Sequence, residues 1–214
     1  MRNLSTRIKI CGITSVHDAL SAVQAGADAI GCVFYPPSPR NVSIEQAIEI
    51  RAALPPMVSL VALVVNMAPA DIRKVLEFVQ PDLIQYHGDE SSEFCAEIGH
   101  PYWKAVRVRG RDDVEDAVKT HSGARALLLD AWVDGIPGGT GAQINSDLMP
   151  DNVGRPWILA GGLNPLNVAD ALKHYHPAAV DVSSGVEVSP GIKDLSKIRA
   201  FISAVKQWDE AQSQ

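Results

Sequence analysis

Leu60-Val61-Ala62-Leu63-Val64-Val65, preceded by Ser59 and followed by an amphipathic stretch from Pro69 to Val79, decides how this chain is read. The apolar run is far too short to cross a bilayer. It reads as a strand buried on both faces, Ser59–Val65. The stretch after it opens with Pro69, whose missing N–H is harmless in a first helical turn. Its apolar residues then recur at helical spacing. A buried strand running into such a helix is one βα unit.

The same unit recurs in both directions along the chain. Upstream, Ile8–Cys11 and Ala29–Phe34 read as strands, and Val16–Ala25, ending at Gly26, reads as a helix. Ile44–Leu54 is a further helix, with Ser43 as N-cap, Gln46 completing a capping box and Pro55-Pro56 as a stop. Downstream, Leu83–His87, Trp103–Val108, Ala126–Asp130, Trp157–Ala160 and Ala179–Ser183 read as strands. Between and after them, Ser91–Ile98, Asp112–Lys119, Pro165–His174 and Leu195–Gln207 read as helices. The stretch between Gly139 and Asn152 is polar and carries little helical pattern, and the polar tail Asp209–Gln214 is expected to fray.

Eight aliphatic strands with helices between them predict an α/β protein: a single (β/α)8 TIM barrel, one domain over residues 1–214. A doubly wound open sheet is the alternative, but the first βα turn, Cys11-Gly12-Ile13-Thr14, lacks a G-x-G-x-x-G run. With 214 residues, 46% hydrophobic and 21% charged, the composition excludes a disordered, collagen-like or disulfide-dense chain. A net charge of -6 without a Lys/Arg block speaks against nucleic acid as a partner. The three cysteines (Cys11, Cys32, Cys95) cannot all pair and form no C-x-x-C. With no signal peptide visible, they point to a reducing cytoplasm, and no membrane association is expected.

A barrel carries its chemistry at the C-terminal ends of its strands. Period-2 alternation turns Lys9 and Cys11 inward and Ile8 and Ile10 toward the helices. Cys11 then lies at the mouth, as a small buried hydrophobe or as a reactive thiol. Cys32 and Cys95 read as packing residues. Asp130 closes the sixth strand as an N-cap or a catalytic acid, and Gly138-Gly139-Thr140-Gly141 after it reads as a mobile lid. Gly161 and Gly162 after the seventh strand, and Ser183, Ser184 and Gly185 after the eighth, form adjacent glycine turns suited to a phosphate. Arg40, in a proline-stiffened loop, is a surface arginine or a carboxylate clamp. Lys9 and Asp181 are neighbours if the barrel closes, which predicts an ion pair beneath the site. Gln85 and His87 share an inner face. His87 reaches the mouth as a substrate contact or as a hydrogen-bonded interior histidine. His174 and His176 read as a solvated pair at a helix C-terminus rather than as metal ligands.

Together these residues resemble the phosphoribosylanthranilate isomerase family. The similarity is carried by Ile8-Lys9-Ile10-Cys11-Gly12-Ile13-Thr14, Ser38-Pro39-Arg40-Asn41-Val42, Gln85-Tyr86-His87-Gly88, Leu128-Leu129-Asp130-Ala131 and Gly138-Gly139-Thr140-Gly141. It continues through Leu159-Ala160-Gly161-Gly162-Leu163, Asp181–Glu187 and Pro190–Asp194, in order from residue 8 to residue 194. Two departures are visible: Tyr86 stands where the family usually has Leu, and Ala142–Asp147 replaces an aromatic-containing stretch.

The resemblance implies an enzyme of tryptophan biosynthesis. It converts N-(5-phosphoribosyl)anthranilate to 1-(o-carboxyphenylamino)-1-deoxyribulose 5-phosphate by an Amadori rearrangement, without metal or organic cofactor. It implies Cys11 as general base, Asp130 as general acid, Arg40 as a carboxylate-side contact, and the turns at Gly161-Gly162 and Ser183-Ser184-Gly185 as the phosphate anchor. The expected partner is a small phosphorylated substrate, and the expected state is a monomer or homodimer. The alternatives are another phosphosugar isomerase or epimerase on the same barrel, or a non-catalytic phosphate-binding barrel. A metal hydrolase lacks a credible ligand triad.

Overall fold

Strands this rich in aliphatic residues need cover on both faces. In the computed structural model of this chain, which describes residues 5–131 and 153–213, they gain it by closing on themselves. The wall consists of β1 (Arg7–Cys11), β2 (Ala29–Phe34), β3 (Ser59–Val64), β4 (Leu83–Tyr86), β5 (Tyr102–Val108), β6 (Ala126–Ala131), β7 (Trp157–Ala160) and β8 (Ala179–Val182). They pair in parallel in chain order, and β8 returns to β1 with Lys9 opposite Asp181. This closure excludes the open doubly wound sheet.

Helices α1 (Val16–Ala25), α2 (Ile44–Ala53), α3 (Pro69–Phe78), α4 (Ser92–Ile98), α5 (Arg111–Thr120) and α6 (Val168–Tyr175) lie between the strands in sequence, and α7 (Leu195–Gln212) follows the last of them. Their starts follow local chemistry. The Ser43 side chain accepts from Gln46 N–H while the Gln46 side chain accepts from Ser43 N–H, and Ser15, Ser91 and Asp194 cap α1, α4 and α7. The apolar face of β1, Ile8 and Ile10, joins the large core outside the wall together with Ile198 and Phe201 of α7. Inside the barrel, Ala29, Val61 and Leu83 pack in one group with Trp103, and Cys11, Val33 and Leu63 pack in another with Tyr35 and Val65. Tyr86 is fully buried in the outer core, edge-on to Phe94 and Tyr102. Trp132, the lid motif Gly138–Gly141 and the departure at Ala142–Asp147 lie outside the described residues.

Two expectations are corrected and one element is added. The helix expected at Pro165 begins at Val168 instead. Asn164 Oδ1 accepts from Leu166 N–H and Asn167 Oδ1 accepts from Asn164 N–H, both at 2.8 Å, while Asn167 and Val168 N–H share the Asn164 carbonyl at 3.3 and 3.2 Å, so Pro165–Asn167 form a capped, tightened turn ahead of the regular helix. The tail does not fray at Asp209, because α7 runs to Gln212. The Asp209 carboxylate accepts from both the N–H and the hydroxyl of Thr6, each at 2.8 Å, and ties the last turns to the start of β1. Finally, the segment after β8 folds into a small antiparallel hairpin of β9 (Glu187–Ser189) and β10 (Ile192–Lys193), turned at Gly191 with φ +85°.

Candidate active site

The inward face of β1 sets one wall of the site. Lys9 donates from Nζ to Asp181 Oδ1 at 2.8 Å, and the two side chains are only 3% and 9% exposed, so the expected ion pair is present. Burial favours the neutral amine, but Asp181 and Cys11 outweigh it and hold Lys9 above its ordinary value as an ammonium. Cys11, two residues on, is buried at the mouth. Burial pushes its thiol upward, Lys9 and Lys193 pull it down, Asp181 pushes it up, and the net direction is upward. Cys32 and Cys95 are buried as well, and burial raises each to about 12, in keeping with packing roles.

Room for this pair comes from a residue that the sequence reading passed over. A Cβ at Gly31 on β2 would stand 2.9 Å from Cys11 Sγ, 3.0 Å from Lys9 Cε and 3.1 Å from Lys9 Nζ. A glycine inside an otherwise aliphatic strand is itself a signal of close approach, and Ile30-Gly31-Cys32 carried it.

Asp130 stands on β6, three strands from β1 through β8 and β7, and is aligned with Arg107 and Ala160 in its ladders. Its Oδ2 lies 3.4 Å from His87 Nε2, and both side chains are 22% exposed. Gln85 Nε2 meets His87 Nδ1 at 3.0 Å, so a donating amide leaves the imidazole proton on Nε2, facing Asp130. The loop after β4 is held from behind. Buried Glu90 accepts from Asn66 N–H and Gly88 N–H at 2.7 and 2.9 Å, and its ion pair with buried Lys104 spans 3.0 Å. A cavity of about 480 Å³ opens on this side, with His87, Gly88 and Arg107 among its lining residues.

The turns after β7 and β8 meet at the opposite rim. Gly161 and Gly162 have φ of +86° and +62°, left-handed values that non-glycine residues rarely adopt. Ser184–Val186 forms a short 3-10 turn after Ser183. A Cβ at Gly185 would collide with the Leu163 carbonyl oxygen, so the two turns are in direct contact. The hydroxyl of Ser183 is buried without a hydrogen-bond partner, and it would lie 2.9 Å from a Cβ at Gly12 (φ +73°). Backbone turns that close, with an unused hydroxyl among them, suit an anion.

Arg40 is brought to the same rim, but as a held side chain. Its Nε and Nη2 donate to the two carboxylate oxygens of Glu187 at 2.8 and 2.7 Å, and the Glu187 hydrogen bonds raise the guanidinium above its ordinary value. Lys193 reaches Glu187 at 2.8 Å and the Ser183 carbonyl at 3.1 Å. Thus Glu187 and Lys193 link Arg40 to the turn after β8. The spacing of these residues gives no hint of that link, which needs the hairpin. His174 and His176 are exposed at the end of α6, as expected. No cluster of three or more His, Cys, Asp or Glu suited to a metal occurs among the described residues, and no helix among them is long and apolar enough to cross a membrane.

The site therefore joins a buried thiol beside a cation, a carboxylate beside an imidazole, and a glycine-lined rim. The chain also resembles known proteins over most of its length. Residues 8–204 match the family model described as N-(5'phosphoribosyl)anthranilate isomerase. A relative from Pseudomonas fluorescens (strain SBW25), named N-(5'-phosphoribosyl)anthranilate isomerase, is 52% identical over 94% of this chain and 96% of its own. The crystal structure of phosphoribosyl anthranilate isomerase from Thermotoga maritima superposes with a TM-score of 0.88 at 42% identity, covering 94% of this chain and 99% of that one. A structure of such an isomerase in complex with reduced 1-(o-carboxyphenylamino)-1-deoxyribulose 5-phosphate superposes at 0.81 with 41% identity, again over 94% and 99%.

Proposed function

This chain belongs to the N-(5'-phosphoribosyl)anthranilate isomerase family, and on that premise we propose how its residues divide the reaction. The enzyme isomerises N-(5-phosphoribosyl)anthranilate to 1-(o-carboxyphenylamino)-1-deoxyribulose 5-phosphate in tryptophan biosynthesis. Asp130 is the general acid. It gives its proton to the furanose ring oxygen as the C1–O bond breaks, while the nitrogen lone pair forms C1=N. Cys11 is the general base. The C2–H bond breaks, the proton passes to sulfur, and the bonding pair becomes C1=C2 as nitrogen recovers its electrons. C1 then takes a proton while the C2 hydroxyl loses one, so the enol becomes the ketone and the Amadori rearrangement is complete.

The observation that carries this assignment is the placement of Cys11 and Asp130. Both point inward at the C-terminal ends of different strands of one closed wall, the thiol beside Lys9 and the carboxylate beside His87. Gly161, Gly162, Ser183, Ser184 and Gly185 take the substrate phosphate, supported by the contact between the two turns. Arg40, aligned by Glu187, faces the carboxylate side of the substrate, and His87 lines the mouth next to Asp130. The enzyme works in the cytoplasm as a monomer or homodimer, a setting supported by three free, buried cysteines.

Loss of phosphoribosylanthranilate fluorescence on purified protein tests the assignment. Cys11→Ala and Asp130→Asn should each lose at least about a hundredfold in turnover with the fold intact. Near-normal turnover by either folded variant removes its residue from the mechanism.

A further inference from the structure

The cation beside Cys11 has no part in the steps just described, yet the barrel is shaped around it. Lys9 and Cys11 project from one face of β1 and converge on the position of β2 that has no side chain, Gly31. Lys9 donates to Asp181 at 2.8 Å, and its ammonium and the Cys11 sulfur lie near enough to act on each other's charge. The gap at Gly31 admits the ammonium and the sulfur side by side, and burying an ammonium inside a barrel is expensive. A neutral thiol gains little from a neighbouring ammonium, whereas a thiolate gains a charge-assisted hydrogen bond.

We propose that Lys9 is the positioning residue that makes Cys11 a base: its ammonium stabilises the Cys11 thiolate, and Asp181 sets how much of that charge the sulfur feels. The inference rests on the reading of Cys11 as the general base. A general base works best when its proton affinity suits the operating pH. Too strong a field at sulfur would populate the thiolate but leave it too weak to take the C2 proton. Asp181 draws part of the ammonium's charge away and keeps the sulfur basic. The other groups that act on Cys11 are Lys193 of β10, Arg40 from the loop after β2, and Cys32 of β2. Lys193 and Arg40 are both engaged by Glu187, and Lys9 is the cation that shares the space over Gly31 with the sulfur.

The test is the thiolate titration of substrate-free protein, read by ultraviolet absorbance against the same protein carrying Cys11→Ala, together with the pH profile of kcat/KM. In Lys9→Met the Cys11 midpoint should rise by about 1–3 units. In Asp181→Asn it should fall, and in Lys9→Arg, which keeps the charge, it should stay nearer to wild type. The acidic limb of kcat/KM should move with each midpoint. An unmoved midpoint in Lys9→Met, or movement of both variants in the same direction, overturns the proposal. If Lys9→Met does not fold, Asp181→Asn decides, since a lowered midpoint supports the proposal and an unmoved or raised one overturns it. The two readings fail separately. Near-normal turnover of Cys11→Ala removes Cys11 as base whatever the titration shows. An inactive Cys11→Ala combined with an unmoved Lys9→Met titration removes only the role of Lys9.

Discussion

Glu187 holds the Arg40 guanidinium by two nitrogens at once, accepting from Nε at 2.8 Å and from Nη2 at 2.7 Å. The same carboxylate, 4% exposed, also accepts from Lys193, which is 1% exposed. Removing one partner of a buried pair costs more than the pair contributes, because it strands the other charge. Glu187→Ala should therefore lose about 3–5 kcal/mol of stability in denaturant unfolding. Arg40→Ala leaves Glu187 and Lys193 together and should cost less, while raising KM. Equal losses in the two variants would show that the network does not centre on Glu187.

The same carboxylate predicts a pH dependence. Burial pushes Glu187 up, but hydrogen bonds and charge from Arg40 and Lys193 outweigh it and hold the group below the usual carboxylate range. A carboxyl lowered on folding contributes stability in full above its unfolded value and loses it as pH falls through the lowered folded value. The stability gap between wild type and Glu187→Gln should thus be widest near neutral pH and shrink in acid. Denaturant unfolding across that range checks it, and a gap that widens in acid contradicts it.

His87 stands between Gln85, at 3.0 Å, and Asp130, at 3.4 Å. Its replacement by alanine removes the ring that stands beside Asp130 and leaves the carboxylate room to shift. Small displacements of a reacting group cost up to about a hundredfold, so His87→Ala should lower kcat by roughly 10- to 100-fold with a smaller change in KM. Steady-state kinetics check this, and a rise in KM with kcat unchanged would make His87 a binding contact alone.

Gly185 has no room for a side chain, since its Cβ would meet the Leu163 carbonyl. Gly185→Ala must spread the turns after β7 and β8, at a strain of about 1–3 kcal/mol. If those turns grip the phosphate, KM should rise roughly 5- to 150-fold with kcat nearly kept. A change in kcat alone would place the phosphate elsewhere.

Asp209 accepts two hydrogen bonds from Thr6 across the chain ends. Hydrogen bonds to charged groups contribute about 1.5–3 kcal/mol. Asp209→Ala should lose about that much in denaturant unfolding, free the end of α7 to hydrogen exchange, and leave turnover unchanged. Unchanged exchange at Gln207–Gln212 would mean that α7 is held by packing alone.

Local chemistry was enough to read the strands, most helices and the barrel class, because apolar runs, caps and proline stops act over a few residues. Ile8 and Ile10 against Lys9 and Cys11 show the inward face of β1 in four letters, and parallel closure then makes Asp181 the neighbour of Lys9. The resemblance pointed to Cys11, Asp130 and the glycine turns, which lie at the strand ends where barrel chemistry sits. Tertiary structure alone decided the rest. Gly31 matters because β2 presses it against Cys11 and Lys9, and Arg40 is held rather than free because a hairpin far along the chain delivers Glu187 to it. Thr6 and Asp209 staple the chain ends only once α7 has packed against α1 and α6. In each case the deciding partner is distant in sequence and supplies a charge, a donor or a steric limit that acts only at contact, and local pattern carries no record of contacts that folding alone creates.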